Sequence, residues 1–66
     1  MTPARHTALG LERDGKRVAL IGGHRDGVHV RVDAGPYTEA DVEHLIALLT
    51  EQLTNRRLAA AEGGAA

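Results

Sequence analysis

The four histidines are the residues of this sequence whose type suits metal binding. His24 and His29 lie five residues apart across a turn, so we expect them on different sides of it, and His6 and His44 belong to separate elements. No carboxylate joins them at a ligand spacing such as HExxH. We therefore interpret the histidines as solvated surface residues and predict neither a metal site nor a cofactor.

Catalytic chemistry has equally little support in the sequence. The chain contains no cysteine and no serine, which removes the two commonest nucleophiles. The best-placed hydroxyl, that of Thr38, is accounted for as a helix N-cap. The glycines of IGGHRDG, at 21–27, do not follow the GxGxxG spacing, and no helix follows to offer its N-terminus to a phosphate. We predict no catalytic residues and no enzymatic activity.

The distribution of charge indicates a candidate binding surface. The net charge is only −1, which does not by itself argue for nucleic acid or a membrane surface. Residues 1–35 nevertheless carry six basic and four acidic side chains, whereas residues 36–66 carry two and five. The first half is therefore the side that suits an acidic partner. Its candidate partner-binding residues are Arg17, Arg25, His29 and Arg31.

Length and composition describe one small domain with a thin core. The chain has 66 residues and a single aromatic, Tyr37, so it needs support beyond its own core. Seven arginines stand against one lysine, beside eleven alanines, a bias typical of a high-GC genome. No apolar N-terminal segment or run of about 20 apolar residues is present, which predicts a cytoplasmic protein without a membrane span.

The clearest local signal is one long amphipathic helix from Thr38 to about Ala61. Thr38 and Asp41 have the spacing of a capping box, and the glycines at 63–64 predict where the helix ends. Apolar residues follow the helical period and predict a single stripe that packs on a sheet. The stripe consists of Val42, Leu45, Ile46, Leu49 and Leu53.

Three strands are predicted before the helix. The first, at 6–13, is joined to the second, at 16–22, by a type I′ turn at Asp14-Gly15. This two-residue turn pairs Glu12 with Arg17, Leu11 with Val18 and Leu9 with Leu20.

The third predicted strand, at 28–32, alternates valines with polar residues. A three-residue loop at 25–27, or a five-residue one, places Val32 opposite Leu20 and keeps the valines on the buried face.

The predicted fold is therefore α+β: a three-stranded antiparallel meander followed by one long C-terminal helix packed on one sheet face. We predict a flexible lead at 1–5, a single domain at 6–62 and a disordered tail at 63–66. The expected core combines the inward strand residues with the helix stripe: Leu9, Leu11, Val18, Leu20, Val28, Val30, Val32, Val42, Leu45, Ile46, Leu49 and Leu53.

The segment GPYTEADVEHL, at 35–45, opens the helix after a short turn that contains an aromatic residue and a threonine. In this, and in its three strands followed by a helix, the chain resembles in outline the arm-binding domains of phage-type integrases. The resemblance covers the topology and about ten residues, and it implies DNA binding through the sheet. Those domains are usually rich in Lys and Arg, whereas this chain is near neutral.

The sequence leaves two functional hypotheses. The first is a small non-catalytic interaction or regulatory protein, an accessory factor that binds another macromolecule, in particular a protein, as a homodimer. The alternative is an accessory factor that binds nucleic acid with the sheet face. We expect the C-terminal half of the helix to overhang the sheet and to form the dimer, with Leu48, Arg56 and Leu58 as candidate interface residues.

Overall fold

The sheet is built around a hairpin that turns at Asp14 and Gly15. In the computed structural model, which describes residues 3–64, these residues have φ values of 54° and 76°, as a type I′ turn requires. The turn joins β2 (Gly10–Arg13) to β3 (Lys16–His24). The predicted two-residue hairpin is confirmed.

A β-bulge beyond this turn changes which residues of β3 face inward. Glu12 pairs with Arg17 as predicted, but Leu11 pairs with Ala19 and not with Val18. The extra residue in the bulged strand reverses the alternation of faces that follows it. The predicted partner of Leu20 was Leu9; the actual partner is Gly10, and Leu20 is not among the buried residues.

The second hairpin has a shorter loop than predicted. A two-residue turn at 25–26 leads from β3 into β4 (Gly27–Val32), so the expected three- or five-residue loop is wrong. Val32 lies opposite Ala19 and not Leu20. The valines still share the face of the buried β3 residues, because the bulge has already reversed the parity of β3.

A fourth strand, β1 (Arg5–His6), pairs with β2, so the sheet is antiparallel with the order β1-β2-β3-β4. The prediction of three strands is corrected, while the α+β class holds. The stretch predicted as one strand, 6–13, is broken by a turn in which the Thr7 hydroxyl accepts a hydrogen bond from the Gly10 N–H at 2.9 Å. A two-residue strand has no periodicity that a sequence pattern could reveal.

Within residues 3–64 there is one helix, α1, which spans Glu39–Gly64. It includes residues 63 and 64 of the predicted tail, and Arg5 of the predicted lead belongs to the sheet. The remainder of these two predictions includes residues 1–2 and 65–66, which lie outside the described residues. No helix within residues 3–64 is long and apolar enough to cross a membrane.

The core is smaller than predicted and meets a different side of the helix. Its buried members are Leu11, Ala19, Ile21 and Leu45. Most of the predicted helix stripe is exposed: Ile46 by 56%, with Val42, Leu49 and Leu53 also exposed. The side that meets the sheet is turned by roughly a quarter of a circle from the predicted stripe, at about 100° per residue.

Candidate interaction surfaces

The side of the sheet away from α1, which we call the outer face, carries most of the predicted partner-binding residues. Arg31 pairs with Leu20, and His29 pairs with Gly22. These positions alternate with the buried residues of β3, so their side chains lie on the opposite face. Arg25 lies in the turn at one end of this face and is exposed.

Arginine side chains on the outer face are held only by exposed ion pairs. Arg5 Nη2 donates to Glu12 Oε2 at 2.9 Å, and Arg17 lies opposite Glu12 in the register. Arg31 Nε lies 3.4 Å from Asp33 Oδ1. The side chains of Arg5 and Arg31 are 76% and 64% exposed. Exposed pairs of this kind contribute little free energy, about 0–1 kcal/mol, so the arginines are free to contact a partner.

The centre of the outer face is flat. Gly10 and Gly22 flank the half-buried Leu20 on neighbouring positions of β2 and β3. A Cβ added at Gly22 would meet no atom within 4 Å, so nothing within residues 3–64 covers this part of the sheet. A flat strip bordered by arginines suits contact with an extended surface more than enclosure of a small molecule.

His24 and His29 lie on the same face, contrary to the expectation that the turn would separate them. His24 is two residues beyond Gly22, the partner of His29, so both project from the outer face. His24 Nδ1 accepts a hydrogen bond from the Asp26 N–H at 3.3 Å. Among the described residues, no three His, Asp or Glu side chains gather into a set that could hold a metal ion.

His6 and His44 both fasten α1 to the sheet, a contact that we did not expect; His6 is exposed as predicted, whereas His44 is half-buried. His6 Nε2 lies 2.8 Å from Asp41 Oδ1, and His44 Nε2 lies 2.7 Å from the Thr7 carbonyl oxygen. Both acceptors lack a proton, so each Nε2 is the donor. The two rings stack with centroids 4.6 Å apart. The sequence gives no signal of this contact, because His6 and Asp41 are 35 residues apart.

Asp41 combines this tertiary contact with the helix cap. The Thr38 N–H donates to Asp41 Oδ2, and the Asp41 N–H donates to Thr38 Oγ1, both at 3.1 Å, which confirms the predicted capping box. The hydrogen bond from His6, followed by that from the Thr38 backbone, holds the pKa of the Asp41 carboxyl below its ordinary value. Both carboxylate oxygens and the Thr38 hydroxyl are therefore engaged in holding the fold.

A pocket of about 460 Å³ lies beside this cap, and its lining is mainly apolar. Arg13 crosses its wall, with Nη2 donating to the Pro36 carbonyl at 3.1 Å and the guanidinium 5.5 Å from the centre of the Tyr37 ring. Tyr37 is fixed in turn by donating to the Asp33 carbonyl at 2.6 Å. Most polar groups around the pocket are therefore engaged in contacts within the fold, but Arg13 Nε is buried without a hydrogen-bond partner among the described residues.

The three candidate dimer residues do not share one exposed face. Leu48 is half-buried and packs against the core. Arg56 Nη1 donates to the carbonyl oxygens of His24 and Gly27 at 2.8 and 3.0 Å, which ties α1 to the second hairpin. Leu58 is 58% exposed. Arg56 therefore has a structural contact that its position in the sequence did not predict.

These polar contacts leave a large apolar surface uncovered. Asp41 and His44 lie on the flank of α1 that contacts β1 and the segment after it. The opposite flank of α1 therefore lies on the side of β4. Two valines of β4 extend this second flank. We call the combined surface the apolar face: Val30, Val32, Val42, Ile46, Leu49 and Leu53, each between 37% and 56% exposed.

No protein-family model matches this chain, and no curated protein or solved structure matches it.

Proposed function

We propose that this protein is a small, non-catalytic accessory or regulatory factor of the cytoplasm, which binds an acidic protein surface through the outer face and works as a homodimer. The observation that carries the proposal is the outer face itself, a flat and uncovered strip of sheet bordered by Arg5, Arg17 and Arg31.

Charge supports the choice of an acidic partner. The strand half of the chain is net basic, whereas residues 36–66 carry five acidic and two basic side chains. On the outer face, Arg5, Arg17 and Arg31 outnumber the acidic Glu12 and Asp33, which pair with two of them. Such one-sided charge orients a partner during encounter and favours one docking direction.

A binding role also accounts for the groups that resemble catalytic ones. The Thr38 hydroxyl caps the helix, the Asp41 carboxylate accepts from His6 and Thr38, and His44 donates to a backbone carbonyl. These contacts give each group a role in holding the fold, which supports a non-catalytic function.

A paired substitution, one residue in β3 and one in β4, tests the proposal. Arg17→Glu combined with Arg31→Glu reverses charge on the outer face, and both side chains are exposed, so the fold is expected to persist. We expect a protein captured from the source lysate by the wild-type chain to be lost by the double variant. Lys16→Glu is the matched control, because this exposed neighbour pairs with Arg13 at the turn, away from the centre of the face. Capture that survives the double change unaltered would overturn the outer-face assignment.

Nucleic acid is the second candidate partner, and the same three arginines favour it. Two-stranded and larger antiparallel sheets can enter the major groove of DNA, where arginine is the commonest base-reading residue. Binding to a 20-base-pair duplex, followed by fluorescence anisotropy across a salt series, separates the candidates. Affinity that falls steeply with salt and is lost on Arg17→Glu/Arg31→Glu would favour nucleic acid. No binding to the duplex, together with capture of an acidic protein, would favour the first proposal.

A further inference from the structure

The apolar face is large in relation to the core that it flanks. Four hydrophobic side chains are buried in the core, while the apolar face exposes six large ones on one contiguous flank. Isolated exposed hydrophobic residues are normal, but a contiguous group bordered by polar residues marks an interaction site. This surface needs an occupant.

We infer that a second copy of this chain covers the apolar face, with the two α1 helices antiparallel about a two-fold axis near Leu49 and Thr50. The inference deepens the homodimer of the proposed function and does not depend on the identity of the acidic partner. Each helix would lie in the angle between α1 and β4 of the other chain, so that Ile46 of one chain meets Leu53 of the other.

Charge along the helix favours this direction of pairing. Three exposed side chains border the apolar face on the flank of α1 away from the sheet: Glu39 and Glu43 in the N-terminal half, and Arg57 in the C-terminal half. An antiparallel pair brings Glu43 of each chain within reach of Arg57 of the other. A parallel pair would instead place like charges opposite each other, which is unfavourable. The surface is therefore complementary to itself under a two-fold axis.

Dimensions agree with a second copy as well. A standard interface buries roughly 800 Å² per partner, which is about one sixth of the 4861 Å² of this chain. Beyond Arg56, which makes contact with the second hairpin, α1 continues to Gly64. In the antiparallel arrangement this projecting segment lies beside the first turns of the partner's helix, so both ends of the helix pair are supported. An isolated helical overhang would have little reason to stay ordered.

Sedimentation equilibrium of the full chain at micromolar concentration is the first test. We expect a species of twice the 7.0 kDa chain mass. Ile46→Glu should weaken association by roughly 100-fold or more, because it places a charge at the centre of the interface on both chains. Leu58→Glu is the matched control: this leucine is as exposed as Ile46, at 58% against 56%, but lies on another side of α1. Circular dichroism verifies that each variant is folded.

A charge exchange tests the antiparallel direction independently of the apolar core. Glu43→Arg and Arg57→Glu should each weaken the dimer about threefold or more, and the double exchange should restore it. If Leu58→Glu dissociates the dimer and Ile46→Glu does not, the interface lies elsewhere than on the apolar face. The proposed homodimer would then stand, but this inference would be wrong. A 7.0 kDa monomer would overturn both this inference and the proposed homodimer, even if the apolar face binds a different protein. Whether the outer-face variants lose the acidic partner does not affect the interpretation of these dimer measurements.

Discussion

Replacing Leu11 with alanine tests where the first predicted strand is broken, because β2 begins at Gly10 and leaves Leu9 outside it. Leu11 is completely buried, whereas Leu9 is 48% exposed. Simple strand alternation makes the two leucines equivalent, since they are two residues apart. Leu→Ala at a buried site costs about 2–5 kcal/mol, through lost burial and the cavity that remains. The same change at Leu9 removes a half-solvated side chain and should cost about 1 kcal/mol or less.

These magnitudes are large for a chain of 66 residues. Its total stability should be about 3–10 kcal/mol at the usual contribution per residue. Urea unfolding followed by far-UV circular dichroism measures the difference. With a slope near 1 kcal/mol per molar urea, Leu11→Ala should lower the midpoint by at least about 2 M, well beyond the effect of Leu9→Ala. Protein concentration must be fixed, because self-association adds to apparent stability. Equal losses at the two positions would refute the break of the strand before Gly10, which separates the exposed Leu9 from the buried Leu11.

Three further predictions concern local contacts. Thr38→Ala should destabilise by about 1 kcal/mol in urea melts through loss of the N-cap, whereas Thr54→Ala, at an exposed helical site, should not. The depressed pKa of Asp41 means that its carboxylate stabilises the fold above its ordinary pKa of 3.8 and less as the pH falls through the folded value. The stability gap between wild type and Asp41→Asn should therefore shrink below about pH 4, and a gap independent of pH would contradict this. A Cβ at Gly10 would lie 1.9 Å from a carbonyl oxygen of β3, so Gly10→Ala should cost about 1–3 kcal/mol and Gly22→Ala much less, as thermal melts would show.

The elements that the sequence predicts correctly are those that depend on neighbouring residues. Asp14-Gly15 determines a turn because only residues that tolerate positive φ fit it, and Thr38 and Asp41 determine a helix start through contacts three residues apart. The outer face was predicted in part for the same reason, since Arg31 and His29 alternate with the valines of β4 within one strand.

The features that were missed depend on contacts between distant parts of the chain. The bulge near Val18 has no sequence signature here, and it transfers Leu20 away from the buried face and Ile21 into it. The rotation of α1 follows from polar contacts to Asp41 and Arg56, whereas periodicity alone predicts that the most apolar stripe faces inward. A stripe that is apolar but faces outward is the pattern expected when a second surface must also be covered.

One measurement tests the central claim, that polar contacts seat α1 on the sheet while its apolar flank meets a second copy. Methyl nuclear Overhauser effects would be recorded on a mixture of isotope-labelled and unlabelled chains, which separates contacts within a chain from those between chains. Ile46 and Leu53 are roughly 10 Å apart along one helix, too far for such an effect within one chain. We predict contacts between Leu45 and Ile21 within the chain and between Ile46 and Leu53 only across chains. Contacts from Ile46 to Ile21 within one chain, with none between chains, would contradict the account.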